Sequence, residues 1–270
     1  MATANKLHVL DCGAMSCDLT WLLLKPGRSI RPRADKDRPV EWYPCTTHAV
    51  LVETDDGVLL WDTSCPRDWE TRWEPTGLQE FFPYDQVTEE QYLDARLSQL
   101  GVSPDQIDYL VLSHLHFDHA GNIDMFARTG AKLIVNDKEK DWAFGYDGAF
   151  NGAHLKVDYE KYAFETVSGD TAILPGVTVL EAPGHTPGTM SLRVDLPDTG
   201  TMIFTSDAIY MGDSYGPPAV PAAIVNDLSA WYRSVEKIRG IAEETNATVV
   251  FGHDAAQLRS MRTSPTGYYA

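Results

Sequence analysis

The stretch SHLHFDH, residues 113–119, constrains this chain more than any other feature. It follows the apolar run DYLVL directly and holds three histidines and an aspartate. In an extended segment, residues two apart point to the same side, so His114 and His116 can reach one ion. Asp118 and His119 fall where the chain bends, so they can face a second ion. Burying several imidazoles and a carboxylate without an ion is costly, which favours a metal site at this strand end.

Three further candidate ligands each follow an apolar run that is itself a predicted strand. His185 lies in EAPGHTPGT, Asp207 in FTSDAIY and His253 in VVFGHDAAQ. Strand ends can gather at one edge of a sheet, where a rigid scaffold holds a binding site in place. We therefore expect all seven side chains to meet there. The histidines outside such contexts are assigned no role: His8, His48 and His154.

The predicted ligand set also indicates the kind of metal. Five imidazoles and two carboxylates, with no thiolate, suit a pair of divalent first-row ions. Zinc is the first expectation, and manganese, iron or cobalt are the alternatives. Two such ions, about 3.5 to 4 Å apart, can share a water, lower its pKa and polarise a carbonyl or phosphoryl oxygen. Hydrolysis is the natural chemistry of such a site.

Short β-branched and apolar runs between turn residues predict a β-rich chain. ETDDGV, residues 53–58, predicts a hairpin through its Asp-Gly turn, and LRVDLPDTGTMIF predicts another. The order of strands and helices indicates two β-rich halves with helices on their outer faces. We therefore expect an α/β (α+β) sandwich, formed as a single domain over residues 1–270.

Two helices are well marked in the sequence. TEEQYLDARLSQLG predicts one, with Thr88 and Gln91 as a capping box. The other covers about 228–244, with Asn226 and Asp227 as capping candidates. Its apolar side chains fall on one face, which we expect to pack on a sheet: Leu228, Trp231, Val235, Ile238 and Ala242.

Charge and hydropathy exclude several classes of partner. The formal net charge is −17 at pH 7, which argues against a nucleic-acid surface because such a surface needs a positive field. The chain has no run of about 18 apolar residues, and MATANKLHVLDCG lacks an apolar stretch of signal-peptide length. We expect a soluble, cytoplasmic protein that binds neither nucleic acid nor membrane.

The cysteines indicate neither a disulfide framework nor a zinc ribbon. There are four, at irregular spacings and without a CxxC pair: Cys12, Cys17, Cys45 and Cys65. So few cysteines in a chain of this length do not form a disulfide scaffold. We expect free thiols that pack as ordinary apolar side chains.

Three stretches resist regular assignment: 25–45, 66–87 and 210–226. Long irregular loops in a globular domain are usually functional or mobile. The aromatic stretch 66–87 can wall a pocket for an acyl chain or anchor a long loop to the body, and both interpretations stay open. The basic run 28–38 is interpreted as a solvated loop or a subunit contact.

Taken together, the HLHFDH motif, His185 after PG, Asp207 after an apolar run and His253 in FGHD resemble the metallo-β-lactamase-fold hydrolases. The resemblance covers nearly the whole chain. Within that superfamily the chain looks most like the N-acyl-homoserine lactonases, because DAIY places Tyr210 three residues after Asp207. The resemblance implies an αββα sandwich.

The resemblance also implies roles for individual residues. Asp62, in LLWDTSC, matches an aspartate that supports the ligands, although Ser64 stands where the family has glycine. Tyr210 is the implied donor to the carbonyl oxygen, or to the oxyanion that develops on it. The implied ligands form two sets with one shared carboxylate: His114, His116 and His185 for one ion, Asp118, His119 and His253 for the other, and Asp207 between them.

The activity implied by the resemblance is opening of a lactone ring, most closely that of an N-acyl homoserine lactone. In that mechanism a hydroxide shared by the two ions attacks the ring ester carbonyl. Tyr210 and one ion stabilise the oxyanion, and Asp118 carries a proton to the leaving alkoxide. The expected partner is a small-molecule lactone, and the chain is expected to act as a monomer or homodimer.

Two other functions stay open at this point. A thioester hydrolase of the glyoxalase II type resembles this chain in all seven ligands, but no basic cluster near the C-terminus is evident for the glutathione carboxylates. A non-enzymatic metal-bound scaffold is disfavoured, because such a protein has no need to keep the complete ligand set. Neither the sequence nor the resemblance identifies the particular lactone.

Overall fold

A computed structural model describes residues 3–145 and 152–270 of the chain. In these ranges the strands form two sheets. The first sheet has its strands in sequential order: β1 (Lys6–Asp18), β2 (Trp42–Thr54), β3 (Gly57–Trp61), β4 (Tyr109–Val111), β5 (Lys132–Asn136) and β6 (Glu165–Val167). The second has the order β11, β10, β9, β8, β7: β7 (Thr171–Leu174), β8 (Val177–Glu181), β9 (Met190–Leu196), β10 (Gly200–Phe204) and β11 (Thr248–Val250).

Hairpins build the antiparallel part of each sheet. β2 and β3 pair with Thr54 opposite Gly57, so the hairpin predicted from ETDDGV is confirmed. β9 and β10 pair with Leu196 opposite Gly200, which confirms the second predicted hairpin. The later neighbours are parallel, from β3 to β6 in the first sheet and between β10 and β11 in the second.

The main core lies between the two sheets. Alternate residues of β2 and β3, such as Val50 and Trp61, pack in one cluster with Leu192 of β9 and Phe204 of β10. All four side chains are almost fully buried. Burial of each large apolar side chain contributes about 1.5 to 3 kcal/mol, so this shared layer holds the two sheets together.

Helices cover the outer face of each sheet. α3 (Leu93–Gln99) and α4 (Asp137–Gly145) contribute buried side chains beneath the first sheet, and α7 (Leu228–Thr245) packs on the second. The arrangement is an αββα sandwich, so the predicted fold class is confirmed. The helices in the described ranges are α1 (Trp69–Trp73), α2 (Leu78–Phe81), α3 (Leu93–Gln99), α4 (Asp137–Gly145), α5 (Lys156–Tyr159), α6 (Gly212–Tyr215), α7 (Leu228–Thr245) and α8 (Ala255–Ser260).

α7 follows its prediction closely. The Asp227 side chain accepts a hydrogen bond from the Ala230 N–H, so Asp227 is the N-cap. Trp231, Val235 and the other predicted apolar residues are buried except Leu228, the first residue of the helix, which is 48% exposed. No helix in the described part of the chain is long and apolar enough to cross a membrane.

The helix predicted from Thr88 onward is interrupted. The capping box between Thr88 and Gln91 forms, but it begins a single 3-10 turn that ends at Gln91. Tyr92 is extended, and α3 starts only after it. The Tyr92 ring packs edge-on against Tyr84 and lies beneath the Arg67 guanidinium, 4.1 Å away. These contacts hold Tyr92 outside helical geometry, so the prediction of one continuous helix is wrong.

The four cysteines belong to the core. Cys12, Cys17, Cys45 and Cys65 are all buried and free, which confirms the prediction. Burial raises the pKa of the Cys12 thiol to about 12, so it stays neutral at physiological pH.

Candidate metal centre

All seven predicted ligands meet in one buried centre and fall into two groups. Cluster one consists of His114, His116, His185 and Asp207, and cluster two of Asp118, His119 and His253. Within each cluster one donor atom per residue lies within 4.8 Å of all the others. The short loop HLHFDH therefore contributes side chains to both clusters.

Cluster one converges on a small volume. The Nε2 atom of His185 lies 2.9 Å from Nδ1 of His116 and 3.1 Å from Nε2 of His114. His116 thus presents Nδ1 to the cluster, whereas His114 and His185 present Nε2. The side chains are almost completely buried, so these nitrogens face each other and not solvent.

The carboxylate of Asp207 lies between the two clusters. Its Oδ2 is 3.2 Å from Nε2 of His185 and belongs to cluster one. Its Oδ1 is 2.9 Å from Nε2 of His253 and 3.2 Å from Nε2 of His119, both in cluster two. One side chain therefore offers an oxygen to each cluster, the position required of a bridging ligand.

Each candidate ligand lies in a loop or turn that follows the end of a strand. The HLHFDH loop follows β4, His185 follows β8, Asp207 follows β10 and His253 follows β11. The last two turns touch, since a Cβ atom at Gly252 would lie 2.6 Å from the Ser206 carbonyl oxygen. A larger residue at position 252 would push His253 away from Asp207.

Hydrogen bonds on the outer ring nitrogens orient the imidazoles. Nδ1 of His185 lies 2.9 Å from the Ile224 carbonyl oxygen, and Nδ1 of His253 lies 2.8 Å from the Thr46 carbonyl oxygen. A protonated Nδ1 that donates to a carbonyl leaves the lone pair on Nε2, which faces the centre. This is the tautomer that a metal ligand needs.

Asp62 supports cluster two directly. Its Oδ2 lies 2.9 Å from Nδ1 of His119, and its carboxylate also accepts hydrogen bonds from the N–H and hydroxyl of Ser113. Ser64 has a φ of 58°, the left-handed region that glycine favours, and its hydroxyl lies 2.8 Å from that of Thr47. The turn therefore keeps a glycine-like backbone although it has serine.

Electrostatics favour a cation in this centre. Burial lowers the pKa of His114 and His116 well below the usual value, so both rings are neutral at pH 7. Burial also lowers the pKa of His119, but Asp118, Asp207 and Asp62 outweigh it and raise that pKa well above its usual value. Negative charge thus dominates around cluster two.

Two polar atoms at the centre fit a bound cation. Within the described residues, Nε2 of His119 and Oδ1 of Asp207 are buried and only 3.2 Å apart, yet neither makes a hydrogen bond of acceptable geometry. Buried polar atoms are almost always paired, and unpaired ones are costly. The imidazole and carboxylate donors at this point are those that divalent first-row ions prefer.

Tyr210 lies against both clusters. Its hydroxyl oxygen is 2.9 Å from Nδ1 of His185, and its ring stacks on His253 with a centroid distance of 5.3 Å. Burial, with Asp207 and Asp118 nearby, raises the pKa of Tyr210 well above its usual value, so it stays a phenol. Tyr210, which the resemblance implies as a donor to the carbonyl oxygen, therefore lies beside candidate ligands of both clusters.

Two buried polar residues next to the centre were not predicted. Glu139, on α4, is fully buried, and His154 was assigned no role although its ring lies 4.3 Å from that of His116, centroid to centroid. Neither residue belongs to a local motif. The available signal was a glutamate in the first turn of an otherwise polar helix, which is not specific.

The three irregular stretches converge on one side of the centre. Trp73, Phe82 and Tyr84 of the aromatic stretch are buried in the same apolar cluster as Tyr210, and Trp73 packs on Phe117 of the ligand loop. These three rings act as anchors, whereas Phe81 is 55% exposed.

The basic run is tied to the protein surface by ion pairs. Arg28 and the preceding Lys25 both pair with Asp213 of α6. Arg38 pairs with Asp35 within the run itself. The run therefore contacts the 210–226 stretch, and part of its positive charge is neutralised.

Comparison with known proteins agrees with this architecture. The family model of the metallo-beta-lactamase superfamily matches residues 42–253. The N-acyl homoserine lactonase AiiB of Agrobacterium fabrum is 34% identical over 98% of this chain and 99% of its own length. The lactonase AiiA of Bacillus thuringiensis subsp. kurstaki is 28% identical over 97% of this chain and 98% of its own length.

Solved structures lead to the same group. The crystal structure of a quorum-quenching N-acyl homoserine lactone lactonase has a TM-score of 0.80 and 26% identity, covering 99% of this chain and 100% of that one. An N-acyl homoserine lactone hydrolase with N-hexanoyl-L-homoserine at its catalytic metal centre has a TM-score of 0.79 and 26% identity, covering 98% and 99%. The chain belongs to the metallo-β-lactamase superfamily, and within it the chain is similar to the N-acyl homoserine lactonases.

Proposed function

We propose that this protein is a dinuclear metal-dependent hydrolase that opens the ring ester of an N-acyl homoserine lactone. The observation that carries the proposal is Asp207, whose two oxygens face two separate clusters of buried donors. The names of the relatives, AiiB at 34% identity among them, supply the substrate class.

The residues proposed to hold the ions are those of the two clusters, with Asp207 shared. When bound, two divalent ions side by side lower the pKa of a shared water and polarise the carbonyl oxygen of an ester. Zinc is the proposed metal, because it accepts imidazole and carboxylate ligands in catalytic sites with an open position. Manganese, iron and cobalt accept the same donors.

Tyr210 is proposed to bind the lactone carbonyl. Nδ1–H of His185 can donate both to the Ile224 carbonyl and to the Tyr210 oxygen, which leaves the phenol proton free. That proton can then be donated to the carbonyl oxygen, and more strongly to the negative charge that develops as the ester is attacked. Stacking on His253 fixes the direction of the phenol.

Asp118 is proposed to move the proton. Ester hydrolysis removes a proton from water and delivers one to the leaving alkoxide, so one group that accepts and then donates completes the cycle. The Asp118 carboxylate lies at the centre, with Oδ2 3.5 Å from Nε2 of His119 and 3.7 Å from Nε2 of His253. The opened product is an N-acyl homoserine carboxylate with a free hydroxyl.

A hydrolysis screen tests the function. The purified protein is assayed with a pH indicator on N-acyl homoserine lactones of several chain lengths, on γ-butyrolactones and on a glutathione thioester. We expect the acyl homoserine lactones to give the highest kcat/KM, and chelation to abolish the activity. A strong preference for the thioester would contradict the lactone proposal, and full activity after complete metal removal would contradict the metal mechanism.

A further inference from the structure

Glu139 joins three segments of the chain next to cluster one. Its Oε1 accepts hydrogen bonds from the Leu115 N–H, at 3.0 Å, and from Nε2 of His154, at 2.9 Å. Its Oε2 accepts a hydrogen bond from the Thr186 hydroxyl. Leu115 lies between His114 and His116, and Thr186 directly follows His185. The carboxylate therefore fixes the backbone beside all three histidines of cluster one without touching any of them.

His154 extends this contact to a ligand ring. Its Nε2 is held by Glu139, and its ring meets that of His116 nearly edge to face, at an interplanar angle of 75°. The His154 side chain is 1% exposed, so the ring cannot turn away into solvent. Because His116 presents Nδ1, the nitrogen nearest its own backbone, the ring needs lateral support to hold that direction.

Close backbone packing makes the arrangement rigid. A Cβ atom at Gly188 would lie 2.2 Å from the Glu139 backbone nitrogen, so the loop that carries His185 rests directly on the first turn of α4. The Thr186 hydroxyl is also 2.7 Å from that of Thr189. Neither the loop nor the helix can shift alone.

We propose that Glu139 and His154 are positioning residues that set the metal affinity of cluster one and leave that of cluster two unchanged. The proposal rests on the metal centre of the proposed function, and deepens it by assigning a separate support to each cluster. Cluster two has a different supporting carboxylate, Asp62, which contacts the ring of His119. Substitution of residues that orient ligands in this way typically weakens metal binding by about 10- to 100-fold.

The substitution Glu139→Gln tests the carboxylate with little change in size. Glutamate accepts three hydrogen bonds with two oxygens, whereas glutamine has one accepting oxygen and an amide that donates. With the glutamine oxygen toward Leu115 and His154, the amide faces the Thr186 hydroxyl and can only donate to it. The proton of that hydroxyl must then turn to Thr189, 2.7 Å away. The charged acceptor of all three donors is lost, which weakens the contacts that hold the segments of cluster one.

To measure the zinc affinity of each cluster separately, the substitution is introduced into two parent variants. Asp118→Ala keeps every residue of cluster one, and His185→Ala keeps every residue of cluster two. Zinc affinity is measured in each by competition with a chromophoric chelator. We expect Glu139→Gln to weaken zinc binding about tenfold in the Asp118→Ala parent and to change it less than about twofold in the His185→Ala parent. Asp62→Asn should weaken zinc binding in the His185→Ala parent, because it alters the contact with His119.

Asp158→Asn is the matched control, since Asp158 is also buried but pairs with Arg72 and touches no candidate ligand. It should leave zinc affinity unchanged in both parents. Equal weakening by Glu139→Gln in both parents, or none in either, would overturn the proposal. If Glu139→Gln does not fold, Thr186→Val removes one donor to the carboxylate, and the same selective loss is expected.

Turnover is measured separately on the wild-type protein. A wild type that binds two ions but opens no lactone contradicts the proposed function, while the zinc affinities of the variants still decide this inference.

Discussion

The two clusters of the centre are supported in different ways. Cluster two is held directly, because Asp62 at the end of β3 contacts the ring of His119. Cluster one is held indirectly, since Glu139 on α4 contacts the backbone and hydroxyl groups beside the ligands. The first support comes from a neighbouring strand of the same sheet, and the second from a helix outside it. A direct contact orients one ring, whereas an indirect one orients a whole loop.

The largest effect is expected for the residue that both clusters share. Asp207→Ala removes an oxygen from each cluster, so we expect loss of at least one ion and a fall in kcat of about 1000-fold or more. Elemental analysis measures the metal content, and a lactone assay on the same sample measures kcat. Normal metal content with normal turnover would show that the clusters do not form one centre.

A smaller effect is expected for Tyr210, which contacts one histidine of each cluster but is not a proposed metal ligand. Tyr210→Phe removes the phenol proton and keeps the ring on His253. We expect kcat to fall about 10- to 100-fold, below the loss for a sole oxyanion donor because the ions share that role. Metal content should not change. A rise in KM with kcat unchanged would contradict a role in the transition state.

The smallest effect is expected for a buried carboxylate that supports neither cluster. Burial outweighs the attraction of Arg72, and with Asp124 and Asp68 nearby it raises the pKa of Asp158 from its ordinary value of 3.8 to about 7. Between these pH values the folded protein binds more protons than the unfolded chain. The contribution of Asp158 to stability is therefore largest at low pH and is lost as the pH rises through 7.

Asp158→Asn removes this titration. The free energy of unfolding of the wild type, minus that of the variant, should be about 1 to 2 kcal/mol smaller at pH 7.5 than at pH 5. Urea unfolding at the two pH values measures the difference. A difference that does not vary with pH would mean that Asp158 is charged throughout this range.

The sequence predicts cluster two and its support better than the support of cluster one. The ligands are recognisable because each follows an apolar strand, and Asp62 is recognisable because LLWDTSC resembles a turn of the family. Glu139 is different, since its partners Leu115, Thr186 and His154 are brought to it only by the packing of α4 against two loops. Nothing in its local sequence records those contacts.

The errors in secondary structure have the same origin. Tyr92 interrupts a helix that the local pattern favours, because its ring has partners at positions 84 and 67. Leu228 fits the apolar face of α7 by spacing alone, but as the first residue of the helix it is left half exposed. Tertiary contacts decide both cases.

The position of Asp207 affects how strongly the binding of one metal ion influences the binding of the other. Because its two oxygens belong to one carboxylate, a cation in either cluster restricts the side-chain rotation that the other cluster depends on. Restriction already imposed by the first occupant lowers the entropic cost for the second, while repulsion between the two charges opposes it. The balance is a coupling free energy, and it has the same value whichever cluster fills first. The fraction of protein that holds a single ion during a metal titration therefore measures the coupling that Asp207 sets between the clusters.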